Sequence, residues 1–332
     1  GVRSAVLLAP SAYLASAANT KELASSLLPV RLRDAVNSGI EPATSAWLRL
    51  AHYPLQSSPT AMLTSIAQRS WDDPCCKATA DMLLDSAVDH AVRARLLAAR
   101  SPGSGDWLEA LPLSSVGNKM DNATVRIAAG LRLGAPIVCP HVCVCGKTVA
   151  VDGHHGLSCR FGSGRHSRHN QINDVLRRAF IKSGSLATRE PHSLCTGSGK
   201  RPDGVTQVPW SRGRCLAWDA TCPDTFAVSH VQASSTRAGS AAAAAEVQKS
   251  QKYADITTGV DFVPVAIETS GTWGEQAIDL VKEIGRRIAE ATHEPRSTAF
   301  LRQRLSIAVQ RGNAFCILGT FRGTDSVVSV GD

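Results

Sequence analysis

The stretch that decides the fold is Lys200–Thr221, "KRPDGVTQVPWSRGRCLAWDAT". It begins with a Pro-Asp-Gly turn around Asp203 and ends in an apolar strand in which Asp219 stands between a tryptophan and an alanine. A carboxylate buried without a partner costs several kcal/mol or becomes neutral. Asp219 therefore needs a cation or hydrogen-bond donors, and other parts of the chain must supply them.

Two aspartates on adjacent strands are typical of a Mg²⁺ site, because Mg²⁺ prefers oxygen ligands and completes its shell with water and phosphate. Asp203 by itself also fits an ordinary Pro-Asp-Gly turn. Together with Asp219 and a strand that carries Glu268, it favours a catalytic site. We therefore predict that Asp203 and Asp219 bind Mg²⁺ and act in phosphodiester hydrolysis.

A lysine near such a pair would stabilise the charge that develops on the phosphate or orient the attacking water. The alanine-rich helix "SAAAAAEVQKSQKYADI" supplies Lys249 and Lys252. Helical spacing places Lys249 on one face with Glu246 and Tyr253, whereas Lys252 lies on another. The spacing leaves open which lysine is catalytic.

The stretch Cys139–Cys159, "CPHVCVCGKTVAVDGHHGLSC", concentrates cysteine and histidine. Zinc in structural sites is held by four such ligands, usually as two nearby pairs joined by a loop. The expected zinc ligands are Cys143, Cys145, His155 and Cys159. The alternates are Cys139, His141 and His154. We therefore predict a structural zinc knuckle in a chain from a reducing compartment, and not a disulfide framework.

The 332-residue chain is 43% hydrophobic and has a net charge of +8, which suits a nucleic-acid partner. A basic cluster comprises Arg160, Arg165, Arg168, Arg177, Arg178, Lys182 and Arg189, with His166 and His169 among them. No apolar run approaches the ~20 residues of a membrane span, and no secretory leader is evident. From these features we expect a protein that is neither secreted nor in a membrane. The chain begins with Gly1 and not with Met, so we also expect a piece of a longer protein.

Helical periodicity fills residues 1–100, in "SAYLASAANTKELASSLL" and "ATADMLLDSAVDHAVRARLLAA", with prolines 29, 42, 54, 59 and 74 separating the helices. After the knuckle the pattern becomes α-β-β-β-α-β-α, an α/β fold with a mixed sheet. The helix "NDVLRRAFIKSG" opens that pattern. The predicted divisions are a helical linker region (1–100), a loop and connecting helix (101–138), the knuckle (139–165), the α/β domain (166–320) and a tail (321–332).

The motifs occur in a specific order: a zinc knuckle, Arg168-His169-Asn170, Lys200-Arg201-Pro202-Asp203, then Asp219 in a strand. This order resembles the C-terminal restriction-like endonuclease of site-specific non-LTR retrotransposons, which follows a reverse transcriptase in one polyprotein. The second acid is followed by Ala-Thr, so the lysine must come from the helix. There, Lys252-Tyr253 matches the family's lysine-tyrosine element, although helix geometry favours Lys249.

The resemblance implies a PD-D/E-x-K nuclease core after a zinc knuckle and an all-α linker. It implies a hydrolase that nicks DNA with Mg²⁺ to prime reverse transcription, in a parent protein that is also an RNA-directed DNA polymerase. Expected partners are target DNA, the transposable element's RNA and the upstream polymerase domain, in the nucleus after synthesis in the cytoplasm. We expect DNA contacts from Arg168, His169, Lys200 and Arg201. The alternative is a catalytically decayed zinc module that binds nucleic acid.

Overall fold

The computed structural model describes residues 4–32, 39–58, 67–162, 164–192, 194, 200–256 and 259–321. The chain divides into two compact units, residues 1–87 and 88–332. The expected knuckle and α/β domain therefore share one unit, and the last helix of the expected linker region also belongs to it. Apart from Phe321, the expected tail lies outside the described residues.

The first unit is helical, as the periodicity predicts. Its helices are α1 (Ala5–Leu27), α2 (Ile40–Leu50) and α3 (Gln68–Ser86). They bury Leu14, Trp47, Leu48 and Trp71 in a small core, in which the Trp47 indole donates a 2.7 Å hydrogen bond to the Trp71 carbonyl. Apolar burial by one face of each helix thus holds this unit together.

The prolines of this unit separate its helices only in part. Pro29 and Pro54 lie between helices, whereas Pro42 and Pro74 lie inside α2 and α3, and Pro59 lies outside the described residues. Pro42 is the third residue of α2. A backbone N–H at this position has no intrahelical acceptor, so proline removes no hydrogen bond there. Pro74 removes one hydrogen bond from α3 and the helix continues.

Two helix boundaries in the connecting region are set by capping aspartates. Helix α4 (His90–Arg100) begins after Asp89, whose carboxylate accepts a 2.9 Å hydrogen bond from the Val92 N–H. A turn (α5, Asp106–Glu109) and a 3₁₀ segment (Ser114–Val116) follow. Helix α6 (Asn122–Leu133) has Asp121 as its N-cap and the left-handed Gly134 as its C-cap.

The α/β part begins after a small hairpin and follows the predicted order. The remaining elements are β1 (His141–Val142), β2 (Thr148–Val149), α7 (His154–Ser158), α8 (Gly164–Lys182), β3 (Ala187–Arg189), β4 (Gly204–Thr206), β5 (Cys215–Thr221), α9 (Val231–Ser234), α10 (Ser240–Lys252), β6 (Val260–Ala266), α11 (Glu275–Thr292) and α12 (Ser297–Leu318). Strands β3, β4, β5 and β6 form one sheet, antiparallel except for the parallel β5–β6 pair. The prediction of a mixed α/β fold is confirmed.

Two helices differ from the sequence expectation. Helix α8 starts at Gly164, ten residues before the Asp174 of the expected start, so Arg168 and His169 lie inside it and not ahead of it. Helix α12 was not anticipated, because residues on all of its sides are buried and it shows no amphipathic periodicity. It is buried because it packs against α8 and α11 and also against α5, α6 and α7.

The sheet core centres on β5. Trp218 is fully buried and stacks on Phe180 of α8 with ring centroids 4.7 Å apart. Gly204 of β4 faces Trp218 in the antiparallel register, and a Cβ on Gly204 would overlap the indole ring. This close approach lets the indole of Trp218 lie directly over Gly204, the residue that follows Asp203.

Gly204→Ala is therefore expected to destabilise the protein by about 1–3 kcal/mol, because the added methyl forces a shift of the strand or of Trp218. Gly162→Ala is the control, since its new methyl would meet nothing closer than a carbonyl oxygen at 3.7 Å. Urea unfolding of both variants measures the effect. Equal free energies of unfolding for Gly204→Ala and the parent would contradict the packing.

Candidate aspartate site and Cys/His metal centre

The two aspartates lie opposite each other on adjacent strands. Gly204 pairs with Trp218 in the antiparallel β4–β5 ladder, so the same register places Asp203 opposite Asp219. Directly opposed residues of an antiparallel ladder have Cα atoms about 4.5–5.5 Å apart. The Ala220 N–H also donates a 2.7 Å hydrogen bond to Asp203 Oδ2 across the ladder. The sequence prediction that these residues share one site is consistent with this geometry.

Asp219 finds its partners on α10 and just beyond it. The carboxylate is 3% exposed. Lys249 Nζ lies 2.5 Å from Oδ1 as an ion pair without hydrogen-bond alignment, and Tyr253 Oη donates to Oδ2 at 2.6 Å. Together they compensate the buried charge, which answers the question raised by an aspartate inside an apolar strand.

The structure distinguishes the two candidate lysines. Lys249 contacts Asp219 directly, as helical spacing from Glu246 and Tyr253 favours. Lys252 is exposed and donates from Nζ to Tyr253 Oη at 2.9 Å. Of the Lys252-Tyr253 pair, it is therefore the tyrosine that contacts the Asp219 carboxylate. The lysine that forms the ion pair with Asp219 is Lys249, three residues before Lys252.

Asp203 is held by three donors on a single oxygen. Besides the Ala220 N–H, Oδ2 accepts from His169 Nε2 at 2.8 Å and Asn173 Nδ2 at 2.9 Å. An ionised carboxylate only accepts, so His169 Nε2 carries the proton. Burial acts to raise the pKa of Asp203, but the hydrogen bonds and charge of His169 outweigh it, and this pKa lies below its ordinary value. The hydrogen bond to Asp203 raises the pKa of His169.

Asn173 is a site residue that sequence reasoning missed. It is fully buried in α8, with Oδ1 accepting a 2.9 Å hydrogen bond from the Trp218 indole while Nδ2 reaches Asp203. Because indole only donates, this pairing fixes the amide orientation. The signal was present in the sequence, since Asn173 lies four residues after His169 and shares its helix face.

Two further buried acids hold α10 in place. Glu268 Oε1 accepts from the Ala242 N–H at the start of α10 at 3.0 Å, and Glu246 Oε1 accepts from the Ala277 N–H at the start of α11 at 3.1 Å. Burial raises the pKa of both carboxyls. Glu246, expected beside Lys249, thus faces a helix N-terminus, where a negative charge is favoured.

The four residues expected to contact DNA are all engaged within the protein. Arg168 is 3% exposed, and its guanidinium donates to Asn313 Oδ1 at 2.8 Å and to the Leu157 carbonyl at 3.1 Å. The expectation that Arg168 meets phosphate is wrong, because it lies inside α8 and faces the core. His169 contacts Asp203, as described above.

Lys200 and Arg201 form ion pairs near the surface. Lys200 Nζ lies 3.2 Å from Asp255, and Arg201 Nη2 lies 3.0 Å from Glu190. The two cations are therefore partly neutralised in this structure. Exposed pairs of this kind contribute little stability, on the order of 0–1 kcal/mol, and both residues stay only predicted DNA contacts.

The second site is a Cys/His cluster. Its ligand atoms all lie within 4.8 Å of one another. The four residues are Cys143, Cys145, His155 and Cys159. The first two lie in the turn between β1 and β2, where Gly146 has φ +86°. His155 lies in the first turn of α7, and Cys159 directly follows that helix. This is the predicted set, and a Cys₃His group can hold a metal such as zinc.

The alternate ligands have other partners. His141 Nε2 is bonded to Thr320 Oγ1 at 2.8 Å, and its ring stacks on Phe321. His154 stacks on Phe226 with centroids 4.1 Å apart. Cys139 is exposed. None of the three is in the cluster among the described residues.

The thiols of the cluster differ in acidity. Burial raises the pKa of Cys143 to about 11, whereas the Lys147 N–H lowers the pKa of Cys145. Burial also lowers the pKa of His155, which keeps its imidazole neutral, the form that binds metal. Cys143 and Cys159 belong to the apolar core that joins the hairpin to α12. The cluster is therefore part of the packing of the second unit.

No protein-family model matches this sequence, and no curated protein is significantly similar to it. Within the described part of the chain, no helix combines the length and the apolar character that a membrane crossing requires.

The pair of His169 and Asp203 predicts a pH dependence of stability in buffer without divalent ions. Its contribution is complete below about pH 6.5, the unfolded pKa of histidine, and is lost as pH rises through the higher folded pKa. The pKa of Asp203 is lowered on folding, so this residue contributes its full stabilisation above about pH 3.9, the unfolded pKa of aspartate. That stabilisation is lost as pH falls through the lower folded pKa. His169→Gln should therefore lower the free energy of unfolding more at about pH 5.5 than at about pH 9.

The difference should stay below about 1 kcal/mol, because the His169 ring is 38% exposed and solvent screens the pair. His166→Gln, an exposed position on the same helix, is the matched control and should show no such dependence. Urea unfolding at the two pH values measures both variants. A larger effect of His169→Gln at the alkaline pH would contradict the assignment.

The cluster predicts about one zinc per chain in purified protein. Cys159→Ser should lose the metal and lower the thermal midpoint, because metal binding contributes to folding. Cys139 is an exposed neighbour outside the cluster, so Cys139→Ser should retain the metal and the thermal midpoint of the parent. Elemental analysis and thermal unfolding provide the measurement. Full zinc occupancy in Cys159→Ser would exclude that residue as a ligand.

Proposed function

We propose that the second unit, residues 88–332, is a Mg²⁺-dependent DNA endonuclease of the restriction-like, PD-D/E-x-K type. The observation that carries the proposal is the meeting of Asp203, Asp219 and Lys249 at one end of the β4–β5 pair. Two carboxylates and an ammonium group are the residue types that metal-assisted phosphodiester hydrolysis requires.

The residues fit a hard divalent cation. Asp219 Oδ1 is buried and has an ion-pair contact but no aligned hydrogen-bond donor. His169, Asn173 and the Ala220 N–H all donate to Oδ2 of Asp203, so Oδ1 can take a metal ion. Carboxylate oxygens are the ligands that Mg²⁺ prefers. Asp203 and Asp219 would therefore hold the ion.

Bound Mg²⁺ would supply Lewis-acid stabilisation of the charge that develops on a phosphodiester during hydrolysis. The chain's own residues do the rest. His169 and Asn173 fix the rotamer of Asp203, and Tyr253 fixes that of Asp219. Lys249, whose side chain is 25% exposed, can turn its ammonium group from Asp219 toward a phosphate oxygen.

The topology supports the same class. The element order α8-β3-β4-β5-α10-β6, interrupted only by the short α9, agrees with the α-β-β-β-α-β core of restriction-like nucleases. The Cys/His cluster precedes it, as the resemblance implies. We infer that the unit belongs to a non-LTR retrotransposon polyprotein and nicks target DNA in the nucleus to prime its reverse transcriptase, with element RNA as a further partner.

Nicking of supercoiled plasmid in Mg²⁺ tests the proposal. The parent protein should convert the plasmid to the open circular form, and Asp203→Asn and Asp219→Asn should each lose at least about 100-fold in rate. Lys249→Ala should lose a similar factor. Lys252→Ala is the matched control on the same helix and should retain activity within about tenfold, because it reaches the site only through Tyr253.

The outcomes separate the alternatives. Plasmid that is shifted on a gel but never nicked would reject the endonuclease and leave the decayed binding module. Loss of activity in Lys252→Ala with activity retained in Lys249→Ala would reverse the assignment of the two lysines. Zinc content and thermal midpoint, measured for every variant, show whether a loss of activity reflects unfolding.

A further inference from the structure

The basic cluster retains charge that the site itself does not use. Residues 160–189 contain seven lysines and arginines and one acid, Asp174. Arg168 is buried, and Asp174 is paired with Arg178 at 2.6 Å. Positive charge therefore remains in excess on the segment that contains α8, the helix that also carries His169.

The same segment forms most of an open groove. The groove has a volume of about 580 Å³ and is lined by Ser167, Asn170, Gln171, Asp174, Arg189 and Phe315. The first four share one face of α8 by three- and four-residue spacing. The volume lies within the range of about 300–1,000 Å³ that is typical of small-molecule sites, and is sufficient for a nucleotide.

The groove adjoins the aspartate site at two points. Asn170 directly follows His169, whose ring contacts Asp203. Arg189 pairs with Gly204, the residue after Asp203, and its Nη2 donates to Asn170 Oδ1 at 2.9 Å. The groove therefore lies beside β4, the strand that directly follows Asp203.

We propose that this groove binds an unpaired segment of the DNA strand next to the scissile phosphate. Phe315, 49% exposed on α12, stacks on a base, and Arg189 contacts a phosphate. The amides of Asn170 and Gln171 can donate to and accept from base edges. Charge complementarity and an aromatic surface are the two features by which proteins hold single strands.

The assignment rests on the proposed endonuclease function and adds the surface that takes the substrate. It also replaces part of the sequence expectation, since Arg168 is buried and the other three expected contacts are paired within the protein. Stacking on Phe315 requires an unstacked base, so the groove favours a single strand over an intact duplex.

Fluorescence anisotropy of a short labelled DNA strand, without added divalent ions, tests the groove in the full chain. Phe315→Leu should weaken the Kd by about 5- to 100-fold, as loss of one base stack predicts, and Phe315→Tyr should restore it to within about threefold. Arg189→Gln should weaken binding and reduce the salt dependence of log K by about 0.7, the contribution of one phosphate contact on a single strand.

Two matched variants control for the changes themselves. Phe300→Leu makes the same substitution at a half-exposed position of α12, about four turns away. Arg286→Gln removes one exposed charge from α11, on which the guanidinium pairs with Glu283 and Glu290. Both should bind the strand as the parent does.

Unchanged binding by Phe315→Leu and Arg189→Gln would overturn the groove assignment, as would equal weakening by the controls. The result is separable from the proposed function. A parent that nicks plasmid while both groove variants bind normally rejects only the groove. A parent that never nicks but loses strand binding with Phe315→Leu rejects only the endonuclease.

Discussion

The buried carboxylate of Asp219 is the constraint on which the second unit depends. It lies in the middle strand of the sheet, where a lone charge is not tolerated, and two groups from α10 and its end compensate it. Removing one partner of a buried ion pair costs on the order of 3–5 kcal/mol. Helix α10 must therefore lie beside β5, and Glu268 and Glu246 hold it there by capping α10 and extending to α11.

Helix α8 performs the corresponding task for Asp203. Two consecutive residues of α8 contact different parts of the protein. Arg168 donates hydrogen bonds to α7 and α12, whereas His169 hydrogen-bonds the Asp203 carboxylate. His155 lies in α7, and Arg168 of α8 donates to the carbonyl of Leu157 in the same helix. The Cys/His cluster and the aspartate site are therefore connected through α8, and the cluster belongs to the same packed unit as the sheet.

Several parts of this arrangement could be predicted from the sequence. Metal-ligand spacing identified the Cys/His set, because such ligands lie close together along the chain. The placement of Asp219 in an apolar strand required a partner, and helical spacing favoured Lys249. In contrast, the start of α8, the buried helix α12, the role of Asn173 and the burial of Arg168 depend on packing between distant segments, which no local pattern encodes.

The sequence by itself determined the order α-β-β-β-α-β-α, the four members of the Cys/His cluster and the need of Asp219 for a cation or hydrogen-bond donors. Each of these follows from local periodicity, short spacing or the cost of a buried charge. Only the tertiary structure decided that Lys249 meets Asp219, that Asn173 and His169 orient Asp203, and that the exposed groove is lined by α8, Arg189 and Phe315. Contacts of this kind join residues many positions apart, and their geometry is fixed by how the helices pack on the sheet.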